Sequence, residues 1–215
     1  MVQRKVSSIV EELCGKSVSK SFVSNLTKSL DEEVRIFQYS NLETTQYPYV
    51  ITDVMYIKVR ENKRVVSKSF HIALGINEEG HREVLGFMIQ ETESEASWRN
   101  FFEYLKKRGL NGVKMIISDA HSGLVKAVEK EFTGVSWQRC QLHFLRNILD
   151  ATPKKDSKVF REKVKSIFRL TDIDSARQAK NSLIEEYQDD SLYQKACVIL
   201  DEGFEDSFQY VVNMD

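Results

Sequence analysis

The sequence predicts an α/β protein built on a mixed β-sheet, and three observations carry that reading. Between Tyr49 and Gln90 apolar residues recur with a period of two, in three runs separated by short turns. After Gln90 amphipathic helical stretches alternate with two short apolar runs, "VKMIISD" and "GVSWQRC". Beyond Pro153 the strand pattern is absent and helical periodicity takes over.

Taken in order, the first forty residues read as two helices around a tight turn. Val6, Ile9, Val10 and Leu13 form one apolar stripe, Gly15 breaks it, and Ser19 is a good N-cap for a second helix. Phe22, Val23, Leu26 and Leu30 form the second stripe, leaving Lys20, Ser21, Asn25 and Lys28 to point outward. That is a helix-turn-helix layout, whose second helix enters the DNA major groove. Two short amphipathic helices are common in any protein, so the pattern by itself is weakly specific.

"YVITDVMYIKVR" is then a strand, "ENK" a turn, "RVVSKSFHIALGIN" a second strand, "EEGH" a turn, and "REVLGFMIQ" a third strand. Turns this short imply an antiparallel meander. "SEASWRNFFEYLKKRGL" is a helix capped by Ser94 and stopped at Gly109. Strand four, a helix over "SGLVKAVEKEF", strand five and a helix starting at "QLHFLRNIL" complete the order β-β-β-α-β-α-β-α. Helical crossovers favour parallel pairing from strand four onward. Three antiparallel strands followed by parallel ones make a ribonuclease H-like architecture. Three helices follow, "SKVFREKVKSIFRL", "DIDSARQAKNSLIEEY" and "LYQKACVILDEGFEDSFQYVV". The expected divisions are a helix-turn-helix segment over 1–46, the sheet-based core over 47–152 and an all-α segment over 153–215.

Composition bounds the partners. At 41% hydrophobic and 29% charged, with two prolines, the chain is an ordinary globular one. Nothing approaches the roughly 18 uninterrupted apolar residues of a membrane span. The N-terminus has no apolar signal-peptide core, and three scattered cysteines fit a reducing cytoplasm. The net charge of -1 hides an uneven distribution. Residues 1–28 carry five Lys/Arg against two Glu, and 139–169 carry nine against three Asp/Glu. The tail from 183 to 215 carries nine acids against Lys195. Either basic segment taken singly is most simply a solvated helix face.

Two carboxylates stand out. Alternation puts Asp53 on the face of strand one shared by Ile51, Met55, Ile57 and Val59, where burial needs compensation by a cation. A lysine, an arginine or a divalent metal ion would serve, and oxygen ligands suit magnesium. Asp119 ends strand four in "MIISDAHSG". Alone it reads as the cap of the next helix. In a ribonuclease H-like sheet strands one and four are neighbours, so Asp53 and Asp119 converge, and a metal-binding pair becomes the better reading. Paired carboxylates holding two divalent ions support in-line attack on a phosphodiester, chemistry that normally takes a third carboxylate. None stands out. Cys140 and His143 have C-x2-H spacing, but a structural zinc needs four ligands, so the simplest reading is a buried Cys beside a hydrogen-bonded His. Trp98 and Trp137 read as core residues.

The chain resembles the bacterial insertion-sequence transposases of the Mutator type. The resemblance rests on "YPYVITDVMYIKVRE", "HIALGINEEGHREVLGF", "ETESEASWRNFFEYLKKRGLNGVKMIISDAHSGLVKAV" and "WQRCQLHFLRNIL". Two further stretches, "EELCGKSVSKSFVSNLTKSLDEEV" and "LDEGFEDSFQYV", extend it over nearly the whole chain. It implies a DDE-type enzyme that cuts transposon ends and joins 3'-hydroxyls to target DNA, with magnesium or manganese as cofactor. It further implies double-stranded DNA as partner, a homo-oligomer on that DNA, no membrane, and a bacterial cytoplasmic, nucleoid-associated location. Asp53 and Asp119 would be the first two catalytic and metal-binding residues, and Cys140 and His143 match the family's C-x2-H signature. The family's third carboxylate is a glutamate in a threonine-threonine-asparagine segment beyond the insertion. Glu202 and Glu205 match non-catalytic positions. Both ends of the chain therefore read as cut, and loss of the family's last helix should leave an apolar patch on the sheet. A non-catalytic DNA-binding or dimerising fragment that modulates an intact transposase is the rival reading. A stand-alone ribonuclease H-like nuclease is a third, disfavoured by the missing glutamate.

Overall fold

A computed structural model describes residues 20–155 and 157–209. The chain divides into two compact units, parted between Leu42 and Glu43. In the first, α1 (Lys20–Tyr39) is a 20-residue helix. Ser21, Asn25 and Lys28 are exposed on it, as is Leu30 at 50%. The expected first helix, its turn and the Ser19 cap lie outside the described residues, as do the side chains of Lys20, Phe22, Val23 and Leu26.

The second unit is built on a five-stranded sheet: β1 (Tyr49–Glu61), β2 (Arg64–Ile76), β3 (Arg82–Gln90), β4 (Met115–Ser118) and β5 (Ser136–Arg139). The order is β3-β2-β1-β4-β5. β1–β2 and β2–β3 pair antiparallel, whereas β1–β4 and β4–β5 pair parallel. This is the ribonuclease H-like arrangement of three antiparallel strands followed by parallel ones. The β1–β2 turn is two residues, Asn62 and Lys63, both at positive φ (47° and 64°). That double left-handed conformation matches the twist of the flanking strands, which is why so short a loop closes the hairpin.

One face of the meander is covered by α2 (Glu95–Lys107). Its N-terminus carries a capping box between Ser94 and Ser97, and the helix stops just before Gly109, at φ 94°. Trp98, Phe101, Phe102 and Leu105 are fully buried along its inner stripe. Phe102 meets Phe132 edge-on at 5.2 Å, packing α2 against the end of α3 (Ser122–Glu131). On the opposite face of the meander, within this unit's described residues, Met55, Ile57, Phe70, Ile72, Phe87 and Ile89 are all half-buried or exposed.

After β5 the chain is helical: α4 (Gln141–Asp150), α5 (Lys158–Ile167), α6 (Ile173–Tyr187) and α7 (Gln194–Gly203). They share a core of their own, with Phe144, Phe160, Leu200, Phe204 and Phe208 at 1% exposure or less. The last expected helix is shorter than its periodicity suggests. It ends at Gly203, and a 3-10 turn over Glu205–Ser207 follows. A Cβ on Gly203 would stand 2.7 Å from the Phe144 ring, so the helix ends where close approach to α4 requires a glycine.

Candidate active site

β4 is short, and its pairing with β1 fixes the site. Tyr49 faces Met115, Val50 faces Ile116 and Ile51 faces Ile117. Asp53 lies two residues beyond Ile51 and Asp119 two beyond Ile117, so both stand at one level on neighbouring strands. Neighbouring strands are about 4.8 Å apart. β5 continues the row, because Ser118 faces Arg139, and the next step brings Cys140 level with Asp119. The Cys140 N–H donates to the Ser118 carbonyl, extending the ladder one residue past the strand. Asp53, Asp119 and Cys140 thus form a line across the carboxyl edge of β1, β4 and β5, where open α/β sheets gather their ligands.

Each aspartate is held differently from what its sequence context suggests. Asp53 is exposed, not buried on an apolar face. β1 outruns β4 at this point and no described residue of this unit buries Asp53, so the expected cost of burying a charge does not arise. Its Oδ1 accepts a hydrogen bond from the Val54 N–H at 2.8 Å. Asp119 is not the cap of α3. The cap position belongs to His121, whose side chain makes no capping bond. The Asp119 carboxylate accepts from the His121 N–H at 3.3 Å, an Asx-type contact that folds the strand end toward the helix. Ser118 is buried behind it, accepting from Trp137 Nε1 at 2.9 Å and donating to the Asp119 carbonyl at 2.8 Å.

Two neighbours escaped the sequence reading. The Glu93 side chain is 7% exposed, accepts from Trp98 Nε1 at 3.1 Å, and faces His121 Nδ1 at 3.5 Å. That separation is an electrostatic contact without hydrogen-bond geometry, since His121 Nδ1 is buried with no hydrogen-bond partner. Nothing in "ETESE" marks Glu93 among its neighbouring acids; only its spacing to Trp98 could have pointed to it. Arg139 is the second. Burial pushes its guanidinium below the usual arginine range, and the fields of Asp206 and Asp119 oppose that shift. It stacks on the Phe144 ring at 4.2 Å.

Gly123 permits this crowding. A Cβ there would stand 2.7 Å from the Glu95 backbone nitrogen and 3.1 Å from His121 Cε1. Backbone cannot yield as a flexible side chain would, so Gly123→Ala should destabilise the chain by about 1–3 kcal/mol. A urea midpoint unchanged from the parent would refute this contact.

Cys140 is a half-buried free thiol at the cap position of α4, and His143 lies one turn into that helix. His143 Nδ1 is buried without a partner, which corrects the expectation of a hydrogen-bonded histidine there. Among the described residues no three His, Cys, Asp or Glu side chains cluster closely enough to hold a metal ion by themselves. Glu205 is engaged elsewhere: its carboxylate accepts from Arg177 Nε and Nη2 at 2.8 and 2.7 Å, which holds its carboxyl below the usual range. No helix among the described residues is long and apolar enough to cross a membrane.

The model of the family described as "Transposase, Mutator family" matches residues 1–214. The transposase for insertion sequence element IS256 in transposon Tn4001 of Staphylococcus aureus is 64% identical over 209 residues, 97% of this chain and 54% of that protein. The transposase for insertion sequence element ISRM5 of Rhizobium meliloti is 40% identical over 174 residues, 81% of this chain and 44% of that protein. The chain therefore spans about half the length of the curated relatives it matches. Among solved structures, the HTLV-2 integrase catalytic core domain in complex with magnesium aligns with a TM-score of 0.31 at 12% identity, covering 74% of this chain and 88% of that one.

Proposed function

This chain belongs to the Mutator family of transposases, and we propose that it carries the first two metal-binding carboxylates, Asp53 and Asp119, of a DDE-type centre for DNA cleavage and strand transfer. The observation that carries the reading is the register: two aspartates, far apart in sequence, stand level at the carboxyl edge of adjacent parallel strands. Their substrate is double-stranded DNA, at the ends of the insertion sequence and at the target, handled by a homo-oligomer. The exposed Ser21, Asn25 and Lys28, together with Lys20, are the DNA-contact candidates of α1.

The donor set fits Mg2+ or Mn2+. Magnesium is commonly held through one or two carboxylates, with waters and substrate phosphates completing the octahedron. An exposed Asp53 beside a half-buried Asp119 leaves room for those further oxygens. Bound there, a divalent ion would acidify an attacking water or 3'-hydroxyl and steady charge on the phosphate. The protein's own part is positional. The His121 N–H orients one Asp119 oxygen, the Glu93 carboxylate stands 3.5 Å from the His121 ring, and Arg139 adds positive potential from the β5 side.

Titration of Mn2+ into the chain, followed by the paramagnetic resonance of free ion, tests this without an activity assay. One ion should bind, and Asp119→Asn should weaken it at least tenfold. Equal affinity in the parent, Asp53→Asn and Asp119→Asn would refute the site. With two carboxylates in the row and none other joining them among the described residues, cleavage of DNA bearing the element's ends should stay near background for this chain alone. Activity abolished by Asp119→Asn would instead mean that a further carboxylate completes the centre.

A further inference from the structure

β1 does not stop at the row of carboxylates. Its ladder with β4 ends at Ile51, and β3 accompanies β2 only as far as Ser69, which faces Tyr56. From Ile57 to Glu61, paired with Arg64 to Lys68, the two strands run on with no further strand beside them among the described residues. Five residues of antiparallel strand add about 17 Å. The sheet therefore extends a two-stranded arm past Asp53, in the direction in which β1 leaves the carboxyl edge.

The chemistry of this arm is one-sided. Between Val54 and Ser69 stand five cations against Glu61 alone. Lys68 is tied to Glu61 and Glu91, so the arm's acid is already neutralised. Lys58, Arg60, Lys63 and Arg64 are exposed, and none of them is in an ion pair among the described residues. The pairing puts Lys58 and Arg60 on the same face as Tyr56 and Val65, exposed at 60% and 62%. Four exposed cations on one hairpin concentrate positive potential there, which favours a polyanionic partner. The twist-matched turn at Asn62 and Lys63 keeps the arm narrow. A two-stranded ribbon fits the roughly 12 Å major groove of B-DNA.

We propose that the β1–β2 arm is a DNA-contacting ribbon, laying Lys58, Arg60, Lys63 and Arg64 against the phosphates of duplex flanking the carboxylate row. This rests on the transposase reading and adds to it a contact element outside α1. The salt dependence of duplex binding, measured by fluorescence anisotropy on the full chain, tests it. Each neutralised phosphate contributes about 0.9 to the slope of log affinity against log salt. Replacing all four residues by glutamine should reduce the slope by about 2–4 and weaken binding at least tenfold near 100 mM salt. Lys63→Gly, which relieves a left-handed φ and so keeps the hairpin folded, should reduce the slope by about 0.9. A parent chain that binds duplex, with both variants matching its slope, overturns the arm and leaves the transposase reading standing; the arm would then fit an acidic protein partner. A parent chain that binds no duplex at low salt overturns both.

Discussion

Truncating Phe144 to alanine should cost about 3–5 kcal/mol, the range for emptying a fully buried phenylalanine site. At this chain length that corresponds to a fall of roughly 10 °C in the unfolding midpoint. The ring is 0% exposed, meets Phe168 edge-on at 5.6 Å, lies against Gly203, and carries the Arg139 guanidinium on its face. It therefore ties the helical core to the end of β5. The Gln141 side chain, which donates to the Ser207 carbonyl at 2.9 Å, makes a second tie. Both tryptophans sit on the sheet side, in α2 and β5, so their fluorescence reports the sheet while circular dichroism is dominated by helices. The two signals should shift together in Phe144→Ala. A loss below 1 kcal/mol, or a helical transition that leaves the tryptophan signal in place, would show that the segment folds independently of β5.

Stability should also fall as pH drops from about 6.5 to 4, and His71 should account for most of the steep part. The residue is 0% exposed, packed against Trp98 at 4.4 Å and near Ser97 Oγ at 3.4 Å. Burial pushes its imidazole down to about 4, against the weak opposing pull of the Ser69 and Met88 backbones. Its Nδ1 makes no hydrogen bond. Above pH 6.5 the ring is neutral in both folded and unfolded chains and contributes no pH dependence. Between 6.5 and 4 only the unfolded chain takes up the proton, so unfolding gains on folding as pH falls. The shift corresponds to about 3 kcal/mol once pH is below 4. Urea unfolding at pH 7, 5.5 and 4.5 should show that loss in the parent and a flatter profile in His71→Leu. Parallel profiles would mean that carboxylates, not His71, set the acid limit.

The sequence reveals the fold's skeleton because local signals agree with global pairing. "ENK" and "EEGH" demand hairpins, Ser94 and Gly109 bracket α2, and the five apolar runs fall on the five strands. The proposed site is legible only through topology: neither Asp53 nor Asp119 is distinctive until β1 and β4 are made neighbours. What alternation cannot report is which face of a strand is covered. It assigns Asp53 to an apolar face, yet Asp53 is exposed, and it gives no hint that His71, on the other face, is sealed under α2. Strand overhang is equally invisible, since the arm residues alternate like the rest of β1. The capping reading of Asp119 fails because the chain needs two more residues to turn before α3 begins.

The strand order also has a temporal meaning. β1, β2 and β3 are joined by turns of a few residues, and such hairpins close within microseconds. β4 can add to β1 only after α2 and its flanking loops have been threaded across, a non-local contact that forms slowly. Asp53 belongs to the early half and Asp119 to the late half, so the carboxylate row is assembled at the slowest seam of the sheet. A refolding chain would have its hairpins in place before the two halves of the proposed ion site are brought together. Under the proposed site, recovery of Mn2+ binding after dilution from denaturant should therefore lag behind recovery of hairpin structure.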